Sequence, residues 1–127
     1  MLTKEQILSA MDRASKITPV PEWGGDVCLS VIGGADRDEL TSTFSEGVPV
    51  STFYARILSY ALVDALGRRM FNADDVAALA QKNPDTVVRL GLEALRMNGL
   101  AAASIEDAEK NSDASPNASS GSDSLAS

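Results

Sequence analysis

The acidic side chains are the first candidates for chemistry, because the 127-residue chain has no histidine and only one cysteine. Without histidine there is no imidazole base, no Ser-His-Asp or Cys-His pair and no histidine ligand for a metal. The single thiol, Cys28, can form neither an intramolecular disulfide nor a thiolate zinc site. We therefore expect a fold that depends on its apolar core, in a reducing compartment.

A calcium loop is the best metal candidate, and it lies at residues 64–67 (DALG), with two more aspartates at 74 and 75. If Gly67 is the sixth loop residue, Asp64 is the third and Ala73 the twelfth. One carboxylate is then in place, but the bidentate acid at the end of the loop is missing. A glycine turn followed by a capped helix explains the same residues, and we favour it.

The run Asp36-Arg37-Asp38-Glu39 is a candidate acid/base centre. Acids in the first turn of a helix are, however, explained by the helix dipole alone. The glycine pairs at 24–25 and 33–34 lack the spacing of a phosphate-binding loop. Cys28, in an alternating strand, is a small packing residue with no base beside it in the sequence. The sequence thus predicts no catalytic residue, no cofactor and no metal site, and a protein that is not an enzyme.

The N-terminal third should contain a short helix followed by a β-hairpin. Thr3 and Gln6 form a capping-box pattern at the start of a helix that ends near Ala14. Two prolines restrict residues 17–23 to an edge strand, and residues 27–31 alternate as a half-buried strand does. The turn between these strands contains Gly24-Gly25. The apolar face of the helix contains Ile7, Leu8 and Met11.

Helical patterns follow for the rest of the folded part. The helix over residues 50–61 is the most apolar, so we place it at the centre of the core. The face of the helix after Asn83-Pro84 is predicted from Val88, Leu92 and Leu95, and Gly91 on that helix indicates a close helix approach. The predicted helices comprise one after Gly33-Gly34 with Leu40 and Phe44, one at 50–61, one from Asn72 to about Lys82, one from Pro84 to Asn98-Gly99, and a short one at 104–110.

The fold class predicted is mainly α: a small single domain of five or six short helices with one N-terminal β-hairpin. We place this domain at residues 1–110 and a disordered, serine-rich tail at 111–127, which has too few apolar residues to fold. The net charge of −7 argues against a nucleic-acid partner. No secretory signal or membrane-spanning stretch is visible, so the sequence predicts no membrane partner and a soluble, cytoplasmic protein.

Five short motifs, in this order and spacing, resemble the tail assembly chaperones of long-tailed phages with non-contractile tails and of their prophages. The likeness extends over roughly residues 1–111, whereas the tail beyond Asn111 matches nothing in that family. Ala65-Leu66 also replaces a more polar turn. The motifs are VPEWGGDV at 20–27, DRD at 36–38, LVD to GRRMF at 62–71, DDVAAL at 74–79 and LRMNGL at 95–100.

The resemblance implies a function in virion assembly. Such chaperones are late proteins of the host cytoplasm that bind the tape measure protein and keep it soluble until the major tail protein polymerises around it. They are absent from the mature virion. The same gene commonly yields a longer product by −1 ribosomal frameshifting, and that product recruits tail tube subunits. The alternative is a structural head–tail joining or tail completion protein, which would remain in the particle.

The codons of Glu109-Lys110-Asn111 can read GAA AAA AAC, which contains the slippery run A AAA AAC. The serine-rich end would then be translated only when no frameshift occurs, although a plain disordered tail explains it equally well. Trp23 and Phe44 are the candidate partner-contact residues, with burial in the core as the alternative for both. A homo-oligomer is compatible with either function.

Overall fold

The computed structural model describes residues 1–100, so the predicted helix at 104–110, the domain end at 110 and the tail at 111–127 lie outside the described residues. Within residues 1–100 no helix is long and apolar enough to cross a membrane. The elements in chain order are α1 (Lys4–Ser9), β1 (Ser15–Val20), β2 (Gly25–Ser30), α2 (Gly34–Thr41), α3 (Val50–Ala61), β3 (Leu62–Val63), α4 (Val76–Ala80) and α5 (Pro84–Met97). The predicted fold class, mainly helical with an N-terminal sheet, is confirmed.

The sheet has three antiparallel strands in the order β1-β2-β3, one more than the predicted hairpin. β1 pairs with β2 from Ser15↔Ser30 to Val20↔Gly25, and β3 adds the pair Leu29↔Leu62. β1 is at the edge, as its prolines predict. The turn differs from the prediction, because residues 21–23 leave the strand as a 3-10 turn before Gly24.

Helices α3 and α5 form the centre of the core, as predicted for α3. They approach closely at Gly91, where an added methyl group would lie 2.5 Å from Cδ1 of Tyr54. The buried face of α5 is rotated relative to the predicted face. Of the predicted residues, Val88 and Leu92 are only half-buried. Val50, at the start of α3, is exposed rather than in the core. The buried residues of α5 are Thr86, Val87, Leu90, Gly91, Ala94 and Leu95.

Both ends of α5 have the predicted caps. The Asn83 side chain accepts hydrogen bonds from the backbone N–H groups of residues 85 and 86. At the other end Gly99 adopts a left-handed conformation (φ 69°). Its N–H donates to the Arg96 carbonyl, and the Leu100 N–H donates to the Leu95 carbonyl, as in a Schellman motif. The strong local signals therefore fix this helix to within one residue.

Asn98 connects the end of α5 to the segment after β2. Its buried side chain accepts a hydrogen bond from the Ile32 N–H at 2.8 Å and donates to the Ala94 carbonyl at 2.8 Å. This pairing satisfies a buried backbone donor far away in the sequence, which would otherwise cost about 1–3 kcal/mol. The side chain thereby sets the position of the sheet relative to α5.

Two helices are shorter than predicted. The Thr3 capping box is present, but α1 ends at Ser9 instead of near Ala14. Residues 10–14 connect it to β1, which begins at Ser15. The segment predicted from Asn72 to Lys82 consists of a 3-10 turn, Ala73–Asp75, and the single-turn helix α4. Asn72 caps it as predicted, with its side chain accepting from the Asp74 N–H.

Candidate partner-binding surfaces

The candidate calcium loop is a tight turn closed by its own aspartate. Oδ1 of Asp64 accepts hydrogen bonds from the backbone N–H groups of Leu66 and Arg68, each at 2.9 Å. The bond from the Arg68 N–H, helped by the one from Leu66, lowers the pKa of the Asp64 carboxyl. Oδ2 accepts from Nε of Arg68 at 3.2 Å. Each carboxylate oxygen of Asp64 thus accepts a hydrogen bond within the turn. The segment therefore forms the glycine turn that the sequence analysis favoured.

The acids at the start of α2 interact with different parts of their surroundings. Asp36 lies in the first turn of the helix, where the dipole favours it. Glu39 accepts a hydrogen bond from the Tyr60 hydroxyl. Burial, followed by that hydrogen bond, raises the pKa of Tyr60. The Arg69 guanidinium lies 3.9 Å from the centre of the Tyr60 ring, so these residues connect α2, α3 and the segment after β3.

Metal-ligating side chains are scattered over the described part of the chain. Among residues 1–100 no group of three or more His, Cys, Asp or Glu residues could hold a metal ion. Cys28 is half-buried on β2 and lies opposite Ile17 and Val63 in the strand register. Apolar surfaces of the described residues are further candidates for function.

Phe44, the first predicted contact residue, belongs to the core. Its side chain is only 9 % exposed, and its ring centre lies 5.2 Å from that of Phe53 on α3. Little of the ring is thus accessible to a partner in this conformation, and contact through Phe44 stays a prediction.

Trp23, the second predicted contact residue, is half-buried and lines an open apolar groove. The groove has a volume of about 380 Å³ and separates the turn after β1 from α4. We call it the Trp23 groove. One acid and one base lie at its margin, and its lining residues are Trp23, Phe71, Asp75, Ala78, Leu79 and Lys82.

A polar network holds the turn that carries Trp23. Oε2 of Glu22 accepts hydrogen bonds from the buried Thr86 hydroxyl at 2.9 Å and from Nη1 of Arg89 at 2.8 Å. The backbone hydrogen bond to Glu22, followed by these two bonds, lowers the pKa of the Glu22 carboxyl. The start of α5 therefore fixes one wall of the groove, so the groove is present before any partner binds.

A further exposed apolar surface of the described residues is one that the sequence did not mark as a site. Residues 1–11, which we call the N-terminal arm, contain α1, and none of the residues of α1 is buried. Leu8 is 75 % exposed and Met11 is 89 % exposed. The sequence predicted the apolar face of this helix, but only the tertiary structure shows that the face is exposed within residues 1–100. The exposed large apolar residues of the arm are Met1, Leu2, Ile7, Leu8 and Met11.

Comparison with solved structures identifies a likeness of fold. The chain is similar in structure to the tail assembly chaperone of bacteriophage HK97, with a TM-score of 0.55 and 20 % sequence identity. The match covers 73 % of this chain and 94 % of that one. No protein-family model and no curated protein matches the sequence. The likeness is one of fold, and that fold is shared with a protein of the family that the five motifs resemble.

Proposed function

We propose that the protein is a phage tail assembly chaperone that binds the tape measure protein and keeps it soluble until the tail tube polymerises. The observation that carries the proposal is the shared fold, which includes almost the whole length of the HK97 tail assembly chaperone. The ordered motifs that suggested this family lie on that same fold, from Val20 at the end of β1 to Leu100 just after α5. Two independent comparisons, of sequence pattern and of structure, thus favour the same family.

The surfaces of the protein fit a chaperone better than an enzyme. The described residues offer an apolar groove and an apolar arm. Apolar surfaces of this kind can cover the apolar stripe of a helical partner. The net charge of −7 would keep such a complex soluble. We therefore propose a non-enzymatic protein that acts in the host cytoplasm, needs no cofactor and is absent from the mature virion.

The direct test is co-expression with the tape measure protein of the same phage. We expect the tape measure protein to be insoluble when expressed alone and to co-purify in soluble form with this chain. Trp23→Ala should reduce that solubilisation if the Trp23 groove is the contact. Circular dichroism of the variant must show a folded protein, because unfolding would assign Trp23 to the core instead. A tape measure protein that stays insoluble with the wild-type chain contradicts the proposed function.

We further propose that the chain is the shorter product of a −1 frameshifted gene, with the longer product recruiting the major tail protein. The codons of residues 109–111 support this only if they form the slippery run. Expression of the native gene with its downstream nucleotides, followed by mass spectrometry, should detect a minor longer product. Its peptides should continue from Lys110 into the −1 frame. A single product ending at Ser127 would contradict the frameshift.

Purified particles distinguish a chaperone from the alternative structural protein. A head–tail joining or tail completion protein remains in the virion, whereas a chaperone leaves before assembly is complete. We expect no peptide of this chain in purified particles and abundant peptides in the infected-cell lysate. Stoichiometric amounts in the particle would favour the structural alternative.

A further inference from the structure

The strand β1 has one free edge within the part of the chain that the structure describes. Its strand partner there is β2, in the sheet order β1-β2-β3. The Ala14 carbonyl accepts a hydrogen bond from the Val31 N–H, so the ladder is hydrogen-bonded at this pair. Hydrogen-bonded and non-hydrogen-bonded pairs alternate along an antiparallel ladder. The backbone groups of Ser15, Ile17 and Pro19 therefore point away from β2, which suits Pro19 because proline has no N–H to donate.

This edge offers hydrogen-bonding groups to an extended chain. Ser15 and Ile17 each present an N–H and a carbonyl, and Pro19 presents a carbonyl alone. Nη2 of Arg89 lies 3.5 Å from the Pro19 carbonyl, so the pairing surface ends there. Addition of a strand to a free sheet edge is a general mode of peptide recognition, in which backbone hydrogen bonds give affinity and side-chain contacts give specificity. The two side-chain faces of β1 therefore indicate which peptide would fit.

The two faces of β1 differ in chemistry. Nζ of Lys16 donates to Oε2 of Glu93 on α5 at 2.9 Å, so the side chain of Lys16 lies on the face toward α5. Successive side chains of a strand alternate between faces, so the side chain of Ile17 lies on the other face, where it is 65 % exposed. A strand added at this edge would place alternate side chains beside α5 and beside Ile17.

The face toward α5 contains a basic groove, which we call the β1–α5 groove. It has a volume of about 310 Å³, and its charged lining residues are the bases Lys16, Arg89 and Arg96 and the acid Glu93, a net charge of +2. Inclusion of Glu22, which pairs with Arg89, leaves a net charge of +1. The described part of the chain as a whole carries 10 basic and 13 acidic side chains, a net charge of −3. The groove is thus a positive site on a negative body, and it favours acidic side chains.

The bases of the groove keep donors for a further carboxylate. Glu93 accepts from both Lys16 and Nη1 of Arg96. An ammonium has three N–H donors and a guanidinium has five, so one carboxylate does not use them all. The Arg96 side chain is 64 % exposed, which leaves the rest of its guanidinium accessible. An acidic residue of an added strand therefore finds charge-assisted donors at this position.

We propose that the free edge of β1 binds an extended segment of another protein as a fourth strand, and that acidic and aliphatic residues alternate in this segment. The acidic side chains lie in the β1–α5 groove, and the aliphatic side chains pack beside Ile17. The backbone of the segment pairs with Ser15 and Ile17. This inference goes beyond the proposed chaperone function and does not depend on it, because it rests on the edge and the groove alone.

Amide hydrogen exchange of the full chain, measured by NMR with and without a peptide, tests strand addition. The probe is a peptide of about eight alternating glutamate and valine residues, long enough for one strand. The peptide should slow exchange at the amides of Ser15 and Ile17, which point to the free edge. The amides of Lys16 and Thr18 should change little, because they already face β2. Only strand addition predicts this alternation, since a peptide held by charge alone forms no backbone hydrogen bonds.

Two control peptides test the specificity. A peptide of alternating lysine and valine keeps the strand pattern and reverses the charge, so it should not bind. A peptide with the same glutamates and valines in two separate blocks keeps the charge but loses the alternation, and it should bind more weakly. Added salt should also weaken binding of the alternating acidic peptide, because the groove bases are exposed to solvent.

Variants of the chain test the edge and the groove separately. Ile17→Pro removes an edge N–H without removing a bond to β2, as Pro19 does naturally, and it should abolish peptide binding. Ile17→Val keeps that N–H and should bind as the wild type does. Arg96→Gln should weaken binding by about two- to fivefold, the effect of one exposed ion pair. Arg37→Gln is its matched control, because it removes an exposed base of α2 that does not line the groove.

The proposal is wrong if excess peptide leaves the exchange of the Ser15 and Ile17 amides unchanged. It is also wrong if these amides are protected before any peptide is added, because a second copy or another segment of the chain would then cover the edge. Equal binding by the Arg96→Gln and Arg37→Gln variants would exclude the β1–α5 groove as the site of the acidic residues. None of these results bears on solubilisation of the tape measure protein, so the two proposals can fail separately.

Discussion

Helices α1 and α5 begin with equally good local signals and end in opposite environments. α1 has a complete capping box at Thr3, and the side chain of Asn83 caps α5 with two hydrogen bonds. α5 nevertheless buries six residues against α3 and the sheet, whereas α1 buries none. Capping therefore decides where each helix begins, but it does not decide whether the helix packs.

The free energies of capping and of side-chain burial explain why α5 is part of the core and α1 is not. A side-chain cap stabilises a helix by about 1 kcal/mol, whereas burial of one large aliphatic side chain contributes about 1.5–3 kcal/mol. Helix α5 gains from both kinds of interaction through residues such as Leu90 and Leu95. Within residues 1–100, helix α1 has the side-chain cap but buries no residue. Helix α5 is thus a structural helix of the core, whereas the apolar face of α1 is available to a partner.

The largest effect is expected in α5. Leu95→Ala should lower the free energy of unfolding by about 2–5 kcal/mol, because Leu95 is fully buried in the core and its truncation leaves a cavity. Urea unfolding followed by circular dichroism measures the change. Leu92→Ala is the matched control on the same helix. Because Leu92 is only half-buried, this variant should lose less stability than Leu95→Ala. Equal losses for the two variants would contradict the observed rotation of the α5 face.

The next largest change in stability is expected at Gly91, where α3 and α5 approach closely. Gly91→Ala should destabilise the protein by about 1–3 kcal/mol, because the added methyl group would lie 2.5 Å from Cδ1 and 3.0 Å from Cβ of Tyr54. At an exposed helix position the same change would stabilise by about 1 kcal/mol, so the sign of the change is diagnostic. Thermal unfolding monitored by circular dichroism gives that sign. A more stable variant would show that the two helices can separate at no cost.

A smaller effect concerns the carboxylates that connect β1 and its turn to α5. Hydrogen bonds lower the pKa of Glu22, mainly through its backbone bond, and of Glu93, mainly through Lys16, below the ordinary value of 4.5. A lowered pKa in the folded state gives stability that is present above the unfolded pKa and is lost as the pH falls through the folded pKa.

We therefore expect the melting temperature to fall as the pH decreases through the range of roughly 5 to 3. Glu22→Gln should flatten this dependence, because the amide cannot ionise and keeps only part of the bonding to Thr86 and Arg89. Calorimetry at a series of pH values measures both curves. Parallel curves for the variant and the wild type would show that Glu22 has no part in the pH dependence.

The smallest effect is expected in the N-terminal arm. Leu8→Ala should change the free energy of unfolding of the dilute protein by less than about 0.5 kcal/mol, because the side chain is 75 % exposed and α1 buries no residue. Chemical unfolding at low protein concentration is the measurement. A loss approaching that of Leu95→Ala would mean that the arm packs on its own molecule, and the contrast between α1 and α5 would disappear.

Sequence reasoning was most successful where the signals are local. Residues that cap or break a helix act on their immediate neighbours, so Asn83 and Gly99 located α5 to within a residue. Gly91 correctly indicated a close helix approach, because a glycine on a buried helix face leaves room for a neighbouring side chain, and the structure shows that this side chain is Tyr54 of α3. The sequence also assigned Asp64 to a turn, which its two backbone hydrogen bonds explain.

The interaction surfaces were harder to predict, because exposure depends on distant parts of the chain. Phe44 and Trp23 were both candidates for partner contact, yet Phe44 packs on Phe53 while Trp23 lines an open groove. The apolar face of α1 looked like an ordinary core face. Its pattern is the same whether the facing surface belongs to the same molecule or to another one.

The sequence by itself determined the caps, the turns and the helical character of the protein, since these depend on interactions within a few residues. Only the tertiary structure decided the third strand, because Leu62 pairs with Leu29 across 33 positions of the chain. It also decided the rotation of α5, the burial of Phe44 and the exposure of the arm. Each of these features depends on which apolar surfaces pack against each other. The residue pattern of one helix shows its own apolar face but does not identify the surface that packs on it.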